Sequence, residues 1–307
     1  TRFWPVSREQ SPKQLQKFVG SGTMIQNTVQ RLFPLVPIEK MYVGTHHQQA
    51  LETLRQLDSL EFSPDHLLAE PCSRNTAAAI GLMARMIADK DANAVMAVFP
   101  ADHVVANSES FIKVLQKAKS LAQKDFLVTL GIPPTRPETG FGYLKQGNEI
   151  NGFQETYHVE QFVEKPDAST AKKYLERGNY FWNCGVFIWK ATTLLEELEK
   201  HAPDIHSQLK TLVGCMQNSK GKLSHLEMNA KGCEIFSSLP SLSIDYAVME
   251  KSSKVVLVPA NIGWSDVGAW NALDDVCEKD TEGNILTGNV LARDCNNSIV
   301  HGQNRLV

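Results

Sequence analysis

Two aspartates, Asp102 and Asp266, each follow a short apolar segment that is predicted to form a strand. Residues 94–99 show no polar alternation, which favours a strand covered on both faces, and Pro100 ends it just before Asp102. Residues 254–259 form the second predicted strand, and Asp266 lies beyond its exit. In open α/β sheets ligands bind beyond the carboxyl ends of the strands, where a carboxylate can hold Mg²⁺ against a phosphate. Alternatively, Asp102 caps a turn and Asp266 caps the helix that follows it.

A basic loop at the start of the chain has the composition of a polyphosphate-binding segment. It carries Arg2, Arg8 and Lys13 with few acids, and its two prolines argue against a continuous helix. Arginine binds phosphate bidentately and lysine acts as a point charge, so the loop could hold a triphosphate. An ordinary basic surface loop would have the same composition.

Weaker signals lie in the second half of the chain. Gly140 and Gly142 would let the backbone approach a ligand closely, although a plain turn explains the same pair. A predicted strand ends in an acid and a base, Glu164 and Lys165. Asn183 lies inside an apolar and aromatic segment, where its amide must bond either neighbouring backbone or a ligand.

The elements that would position these residues alternate between strand and helix in the first part of the chain. We predict strands at 41–44, 67–70, 94–99 and 126–131. Helices are predicted at 24–33, at 48–57 and around 111–118, and a further helix is predicted to begin after Thr76, which would cap it. This alternation predicts a parallel sheet with helices on both faces. Right-handed crossovers would place the basic loop, the turn at 71–76 and Asp102 at one sheet edge.

The pattern changes after residue 131. Asp167 is predicted to cap a helix that Gly178 ends, and further helices are predicted at 192–215 and 243–251, with a polar connection at 218–231. The last residues show short apolar alternation that is typical of β structure. We therefore predict a main domain at 1–280 and the start of a separate C-terminal β element at 281–307.

Composition limits the function classes. The 307 residues carry a net charge of −3 with the basic residues spread along the chain, which argues against nucleic acid or an acidic membrane as a partner. The six cysteines form no CxxC or zinc spacing, so we predict free thiols in a reducing compartment. No apolar run reaches membrane-spanning length and no signal-peptide pattern is present, which predicts a cytoplasmic protein.

A series of motifs resembles those of mannose-1-phosphate guanylyltransferases, of the sugar nucleotidyltransferase type also found fused to mannose-6-phosphate isomerase. In order, the motifs are TRFWPVSREQSPKQ, EPCSRNTAAAI, FPADH, RPETGFGYLKQG, FVEKP, WNCGVFIW, SIDYAVMEK and WSDVGAW. The resemblance covers essentially the whole chain. It implies a Rossmann-like nucleotidyltransferase fold with a mostly parallel central sheet flanked by helices, plus a short C-terminal β element. It also implies a first strand and a Gly-rich turn before Thr1.

The resemblance implies one site for GTP, Mg²⁺ and mannose 1-phosphate. Arg2, Lys13, Asp102 and Lys165 would be catalytic, with Lys13 nearest the α-phosphate and Lys165 paired with the sugar phosphate. The implied nucleotide-binding residues are Thr1, Arg2, Lys13, Glu70, Arg74, Asn75 and Thr76, the implied sugar-phosphate-binding residues are Gly142, Glu164, Lys165, Asn183 and Asp245, and the implied metal ligands are Asp102 and Asp266. Cys184 stands where the family often has Ser or Ala, and we assign it no chemistry.

The implied reaction transfers GMP from GTP to mannose 1-phosphate and gives GDP-mannose and pyrophosphate. A sugar nucleotidyltransferase with another base or hexose would use the same residue types. A non-catalytic nucleotide-sugar-binding regulatory subunit is the alternative from another class, and a GDP-sugar glycosyltransferase is a third. The resemblance is also compatible with a homodimer.

Overall fold

The computed structural model describes residues 3–220, 223–302 and 306–307. In its main sheet, neighbouring residues of one strand point into different apolar layers. Val256 and Val258 pack with helices on one face, whereas Val255 and Leu257 pack with helices on the other. Helices therefore cover both faces of the sheet, which confirms the predicted α/β class.

Helices and strands alternate in the first half of the chain, as predicted. The elements are α1 (Met24–Leu32), β1 (Val43–His46), α2 (Ala50–Leu57), β2 (Leu67–Glu70), α3 (Asn75–Lys90), β3 (Val95–Val98), β4 (Val104–Val105), α4 (Ser108–Ala122) and β5 (Leu127–Ile132), with short 3-10 turns at Lys13–Leu15, Ile38–Lys40, His47–Gln49, Asp58–Leu60 and Pro64–His66. Local chemistry sets several ends. Asn107 caps α4, because its Oδ1 accepts a hydrogen bond from the Ser110 N–H at 3.0 Å.

The second half contains two hairpins and several shorter helices. Its elements are β6 (Tyr143–Glu149), β7 (Tyr157–Val163), α5 (Ala168–Arg177), β8 (Tyr180–Lys190), α6 (Ala191–His201), α7 (Pro203–Val213), β9 (Met216–Asn218), β10 (Leu226–Met228), α8 (Ala230–Ser238), one π-helical turn (Asp245–Met249), β11 (Val255–Pro259), β12 (Trp264–Ser265), a 3-10 segment (Trp270–Asp275), β13 (Ile285–Thr287) and β14 (Ile299–His301). As predicted, Asp167 caps α5 and Gly178 ends it in a left-handed conformation.

Strand pairing differs from the prediction of a mostly parallel sheet. The main sheet has the order β3-β8-β5-β11-β7-β6, and β3, β5, β11 and β6 point in one direction. Only the β5–β11 ladder is parallel among the described residues of this sheet, because β8 runs antiparallel between β3 and β5, and β7 runs antiparallel between β11 and β6. Apolar periodicity locates a strand but carries no information about its direction.

Two local predictions in the middle of the chain were wrong. The single helix predicted at 192–215 is divided into α6 and α7 at Pro203, which has no N–H to continue a helical ladder. The polar connection predicted at 218–231 contains β10, which pairs with β9 and β2 in a second sheet of order β1-β2-β10-β9. Strands of three residues are too short to show a period of two.

The strand before Asp102 is less covered than its sequence suggests. β3 lies at the end of the strand order of the main sheet, and of its four residues only Met96 is buried while Ala97 is exposed. The expectation that both faces are covered was therefore wrong for β3. It holds for β5, where all six residues are buried because strands pair on both sides and helices cover both faces.

The end of the chain forms a small parallel ladder between β13 and β14. Ile285 of β13 is buried in one apolar cluster with Phe3, which lies in the basic loop, and Phe18, which follows it. The division near residue 280 stays a prediction. Among the residues that the structure describes, no helix is both long and apolar enough to cross a membrane.

Candidate active site

Lys13 joins the two aspartates that the sequence singled out. Its ammonium donates a hydrogen bond to Asp102 Oδ2 at 3.0 Å and a second one to the main-chain oxygen of Asp266. Lys13 itself is buried, whereas the Asp102 side chain is 37% exposed and can reach a ligand. The predicted phosphate lysine therefore contacts the carboxylate of one predicted metal ligand and the main chain of the other.

A short antiparallel ladder brings these distant segments together. β4 pairs with β12, with Val104 opposite Ser265, so that the residues preceding β4 meet those following β12. The ladder is continued by the Ala106 N–H, which donates to the Gly263 carbonyl at 3.1 Å. A side chain at Gly263 would bring its Cβ to 2.8 Å from the Cβ of Ala106, and the φ of Gly263 is +61°, so this close approach requires glycine.

One apolar cluster lies under all three parts of this site. It contains Phe3 from the basic loop and Phe18 just after it, Val104 from the segment after Asp102, and Val267 from the segment after Asp266. The shared core restricts the relative motion of the segments that carry the charged groups. The loop, although irregular, is therefore anchored at both ends.

Sequence reasoning missed His103 and Trp264, which connect the same segments. The Trp264 Nε1–H donates to His103 Nδ1 at 3.2 Å, and the imidazole forms a further hydrogen bond with the backbone of Cys184. Burial lowers the pKa of His103 to about 4, with Lys13 acting in the same direction and Asp102 and Asp266 opposing it. His103 is therefore a neutral connecting group at pH 7, and its only sequence signal was its position next to Asp102.

A second polar cluster gathers around the end of β7. Lys165 Nζ lies 3.3 Å from Glu164 Oε1, and the Asn183 N–H donates to the Gly142 carbonyl at 2.8 Å. A Cβ added to Gly142 would collide with Glu164 Oε2, so a larger residue here would force the Glu164 carboxylate to move. The predicted sugar-binding residues Gly142, Glu164, Lys165 and Asn183 are thus neighbours.

Asp245 belongs to this second cluster as well. Its Oδ1 accepts a hydrogen bond from Asn183 Nδ2 at 2.9 Å. Burial raises the pKa of Asp245, and burial followed by repulsion from Asp245 raises the pKa of Glu164. Two half-buried carboxylates beside the exposed ammonium of Lys165 make a site suited to hydroxyl groups and an anion.

The two clusters meet along β8. Gly185, whose φ is +70°, lies against Pro100, with 3.3 Å between a Cβ built on Gly185 and Pro100 Cγ. The ring of Phe141 contacts the ring of Trp264 at 5.1 Å between centroids. The segment before Gly142 is therefore packed on the segment before Asp266.

Of the predicted nucleotide-binding residues, Glu70 is the last residue of β2, and Arg74, Asn75 and Thr76 follow that strand. Burial raises the pKa of Glu70 to about 7. Arg74 donates to the main-chain oxygen of Ser237, while its Nε is buried and has no partner within the described ranges. Thr1 and Arg2, which were assigned to the phosphates, lie outside the described residues.

Thr76 acts differently from its predicted role as a helix cap. α3 begins one residue earlier, at Asn75, whose Oδ1 accepts a hydrogen bond from the Thr76 N–H at 3.0 Å. The Thr76 hydroxyl accepts instead from the Ile244 N–H at 2.9 Å, next to Asp245. It thereby links the start of α3 to the second cluster.

A cavity of about 240 Å³ opens beside Asp102, between β1 and the helices that cover it. Its wall consists of Gln14, Ile25, Val43, Gly44, Thr45, Thr53, Ala101 and Asp102. Glu70 lies close by, since a Cβ on Gly44 would be 3.9 Å from its Oε1. The first cluster therefore has open space beside its exposed carboxylate.

Comparison with known proteins matches this arrangement to one family. A family model described as nucleotidyl transferase matches residues 1–283. The alginate biosynthesis protein AlgA of Pseudomonas syringae pv. tomato is 38% identical over 308 residues, and a mannose-1-phosphate guanylyltransferase of Salmonella montevideo is 38% identical over 311 residues. Each comparison covers 100% of this chain, and the chain spans 62% and 64% of the length of these two relatives.

A solved structure shows the same fold over the whole chain. It is described as mannose-1-phosphate geranyltransferase from Thermus thermophilus, is 34% identical and superposes with a TM-score of 0.84. The match covers 100% of this chain and 85% of that one. The elements that carry both clusters lie within the matched region.

Proposed function

This chain belongs to the nucleotidyl transferase family, and we propose that it transfers GMP from GTP to α-D-mannose 1-phosphate, giving GDP-mannose and pyrophosphate. The observation that carries this proposal is the contact of Lys13 with both Asp102 and Asp266. That contact supports one site for a phosphate chain and a divalent cation. The relative named mannose-1-phosphate guanylyltransferase supports the choice of substrates.

Lys13 is the residue that we assign to the α-phosphate. Its ammonium is already held at 3.0 Å from Asp102, so its position is set before any substrate arrives. In the basic loop Arg8 is anchored by a hydrogen bond from Nε to the Pro5 carbonyl at 3.2 Å. We propose that Arg2 completes the phosphate contacts.

The donor set at Asp102 and Asp266 fits Mg²⁺. It offers carboxylate oxygens, which are hard ligands, and Mg²⁺ is commonly bound by one or two carboxylates together with substrate phosphates. No group of three or more metal-ligating side chains occurs in residues 3–220, 223–302 and 306–307, so the remaining ligands would come from phosphate and water. The ion would supply positive charge against the phosphoryl oxygens and orient them.

The second cluster supports a sugar phosphate as the other substrate. Glu164 and Asp245 can accept hydrogen bonds from sugar hydroxyls, and Asn183 Nδ2 can donate one. Lys165 is the neighbouring cation for the phosphate, and the main chain at Gly142 would border the sugar. The raised pKa values of Glu164 and Asp245 fit carboxyls that bind hydroxyls in a partly dry pocket.

The chemistry requires no nucleophile from the protein. An oxygen of the sugar phosphate, ionised at pH 7, forms a bond to the α-phosphorus of GTP, and the bond from that phosphorus to the bridging oxygen of pyrophosphate breaks. Lys13 and Lys165 bring the two anions together and offset charge at the phosphoryl oxygens. Proximity and electrostatics would therefore account for the rate.

Several assignments remain proposals that accompany this function. We place guanine and ribose beside Glu70, Arg74, Asn75 and Thr76, and we keep the division at 280/281 between the catalytic domain and the β element. A cytoplasmic setting is supported by six cysteines that are all unpaired in the structure. A homodimer stays a prediction.

The test is a panel of nucleoside triphosphates against sugar 1-phosphates, with release of pyrophosphate as the readout. We expect GTP with mannose 1-phosphate and Mg²⁺ to be the best combination, and EDTA to abolish turnover. Much faster reaction with UTP or dTTP would replace the guanylyl assignment by another sugar nucleotidyltransferase. Binding of GDP-mannose without any pyrophosphate release would support the non-catalytic alternative.

A further inference from the structure

Thr129 is a buried hydroxyl in the centre of an apolar strand. It is 0% exposed, and its neighbours in β5 are all buried. A hydroxyl taken out of water costs free energy unless it is hydrogen-bonded. An apolar residue of the same shape, such as valine, would avoid this cost, so the partner of the hydroxyl indicates what it does.

The partner is a residue of the second cluster. Thr129 Oγ1 lies 3.2 Å from Asn183 Oδ1 and 3.4 Å from the main-chain oxygen of Val186. A hydroxyl has one proton to donate, and the shorter contact is the one to the Asn183 amide. The same Oδ1 accepts from the Gly185 N–H at 3.1 Å.

An irregularity in β8 places Asn183 over Thr129. Thr129 is paired with Phe187 and Gly131 with Asn183, so three residues of β8 lie opposite one residue of β5. Gly185 within this bulge has a φ of +70°. The bulge turns the Asn183 side chain back towards β5, where the Thr129 hydroxyl meets it.

We propose that Thr129 is a positioning residue that holds the Asn183 amide with its nitrogen towards the sugar phosphate. The Asn183 oxygen receives two donors, from Thr129 and Gly185, which leaves the nitrogen on the side of Asp245. One N–H of Nδ2 goes to Asp245, and the second, which has no hydrogen-bond partner among the residues that the structure describes, can donate to a sugar oxygen. The role of Asn183 in this proposal rests on the proposed function.

Two variants of Thr129 separate the effect of its hydroxyl from the effect of its packing. Thr129→Val keeps the shape and removes the hydroxyl, whereas Thr129→Ser keeps the hydroxyl and removes a methyl group. We expect Thr129→Val to raise KM for mannose 1-phosphate about fivefold, because the loss of one hydrogen bond has an effect of this size. KM for GTP and kcat should stay within about twofold, and Thr129→Ser should resemble wild type.

A second readout follows the amide directly. In ¹⁵N spectra of protein labelled at asparagine, the side-chain NH₂ signals of Asn183 should move in Thr129→Val and stay in Thr129→Ser. If Thr129→Val does not fold, Thr129→Ala compared with Thr129→Ser gives the same contrast, because these two differ only in the hydroxyl.

The proposal is overturned if KM and the amide signals are unchanged in Thr129→Val, or if Thr129→Ser shows the same defect. Absence of pyrophosphate release by the wild-type protein would defeat the proposed function instead. In that case the amide signals alone decide: a shift in Thr129→Val with none in Thr129→Ser supports the held amide, and no shift in either overturns it.

Discussion

Val104 lies opposite Ser265 in a two-stranded antiparallel ladder, and this pairing brings Asp102 and Asp266 to one site. The two aspartates are separated by most of the chain, yet Lys13 contacts the side chain of one and the main chain of the other. The ladder has only two residues per strand and is supported by Val104 and Val267 in a common apolar cluster. The site therefore depends on tertiary packing more than on any long element.

Asp102→Asn tests the metal assignment. The amide keeps the shape of the side chain and can still accept a hydrogen bond from Lys13, so the fold should be retained in circular dichroism. Loss of the charge should lower kcat by about 10²–10³, as removal of one group that stabilises transition-state charge does. Binding of Mn²⁺ followed by EPR should weaken in parallel, while Asp65→Asn, at an exposed position, should change neither. A near-normal rate would remove Asp102 from the catalytic site.

Lys13→Met tests the phosphate assignment. The substitution keeps an apolar stem of similar length and removes the ammonium that contacts Asp102 and Asp266. We expect kcat/KM for GTP to fall by about 100-fold or more, because the ammonium assigned to the α-phosphate would be lost. Lys17→Met removes the same charge from an exposed position four residues further along the chain and serves as the control. If Lys13→Met and Lys17→Met lowered kcat/KM equally, the effect would come from net charge alone and the assignment of Lys13 to the phosphate would be wrong.

Gly142→Ala tests the approach of the main chain to Glu164. The added Cβ would collide with Glu164 Oε2, so the carboxylate must move. We expect KM for mannose 1-phosphate to rise about tenfold, equivalent to about 1.4 kcal/mol, with a smaller change in KM for GTP. Gly140→Ala is the matched control, because its Cβ would make an ordinary 3.5 Å contact with Glu138 Oε1. An unchanged KM in Gly142→Ala would show that Glu164 is not constrained by this glycine.

Glu70→Gln tests the pH dependence that a buried carboxyl imposes. The pKa of Glu70 rises from 4.5 to about 7, so the folded protein holds this proton where the unfolded chain has lost it. Its contribution to the free energy of unfolding is fully present below pH 4.5 and decreases by about 3 kcal/mol as the pH rises to 7. Urea unfolding at pH 5 and pH 8 should show a smaller decrease in Glu70→Gln than in wild type. The exposed Glu39→Gln should behave as wild type, and identical pH profiles for all three proteins would contradict the burial effect.

Much of the fold, and the proximity of several candidate site residues, was predictable from sequence. Strands such as β5 and β11 are continuous apolar segments, and Asp167 and Gly178 bound α5 as local rules require. The motifs named Lys13, Asp102 and Asp266 together, and the structure joins them. His103 was missed because its partners, Trp264 and the backbone of Cys184, are distant in sequence. The roles assigned to Thr1 and Arg2 stay predictions.

By itself, the sequence determined most of the strands and helices, because periodicity is a local property, and its motifs implied through their family resemblance which side chains would bind phosphate, metal and sugar. The tertiary structure alone decided strand direction, the antiparallel course of β8, and the meeting of β4 with β12. It also decided the role of Thr129, whose hydroxyl has a partner only through the bulge at Asn183. These features depend on contacts between residues far apart in the chain, and such contacts leave no trace in the local pattern of either segment.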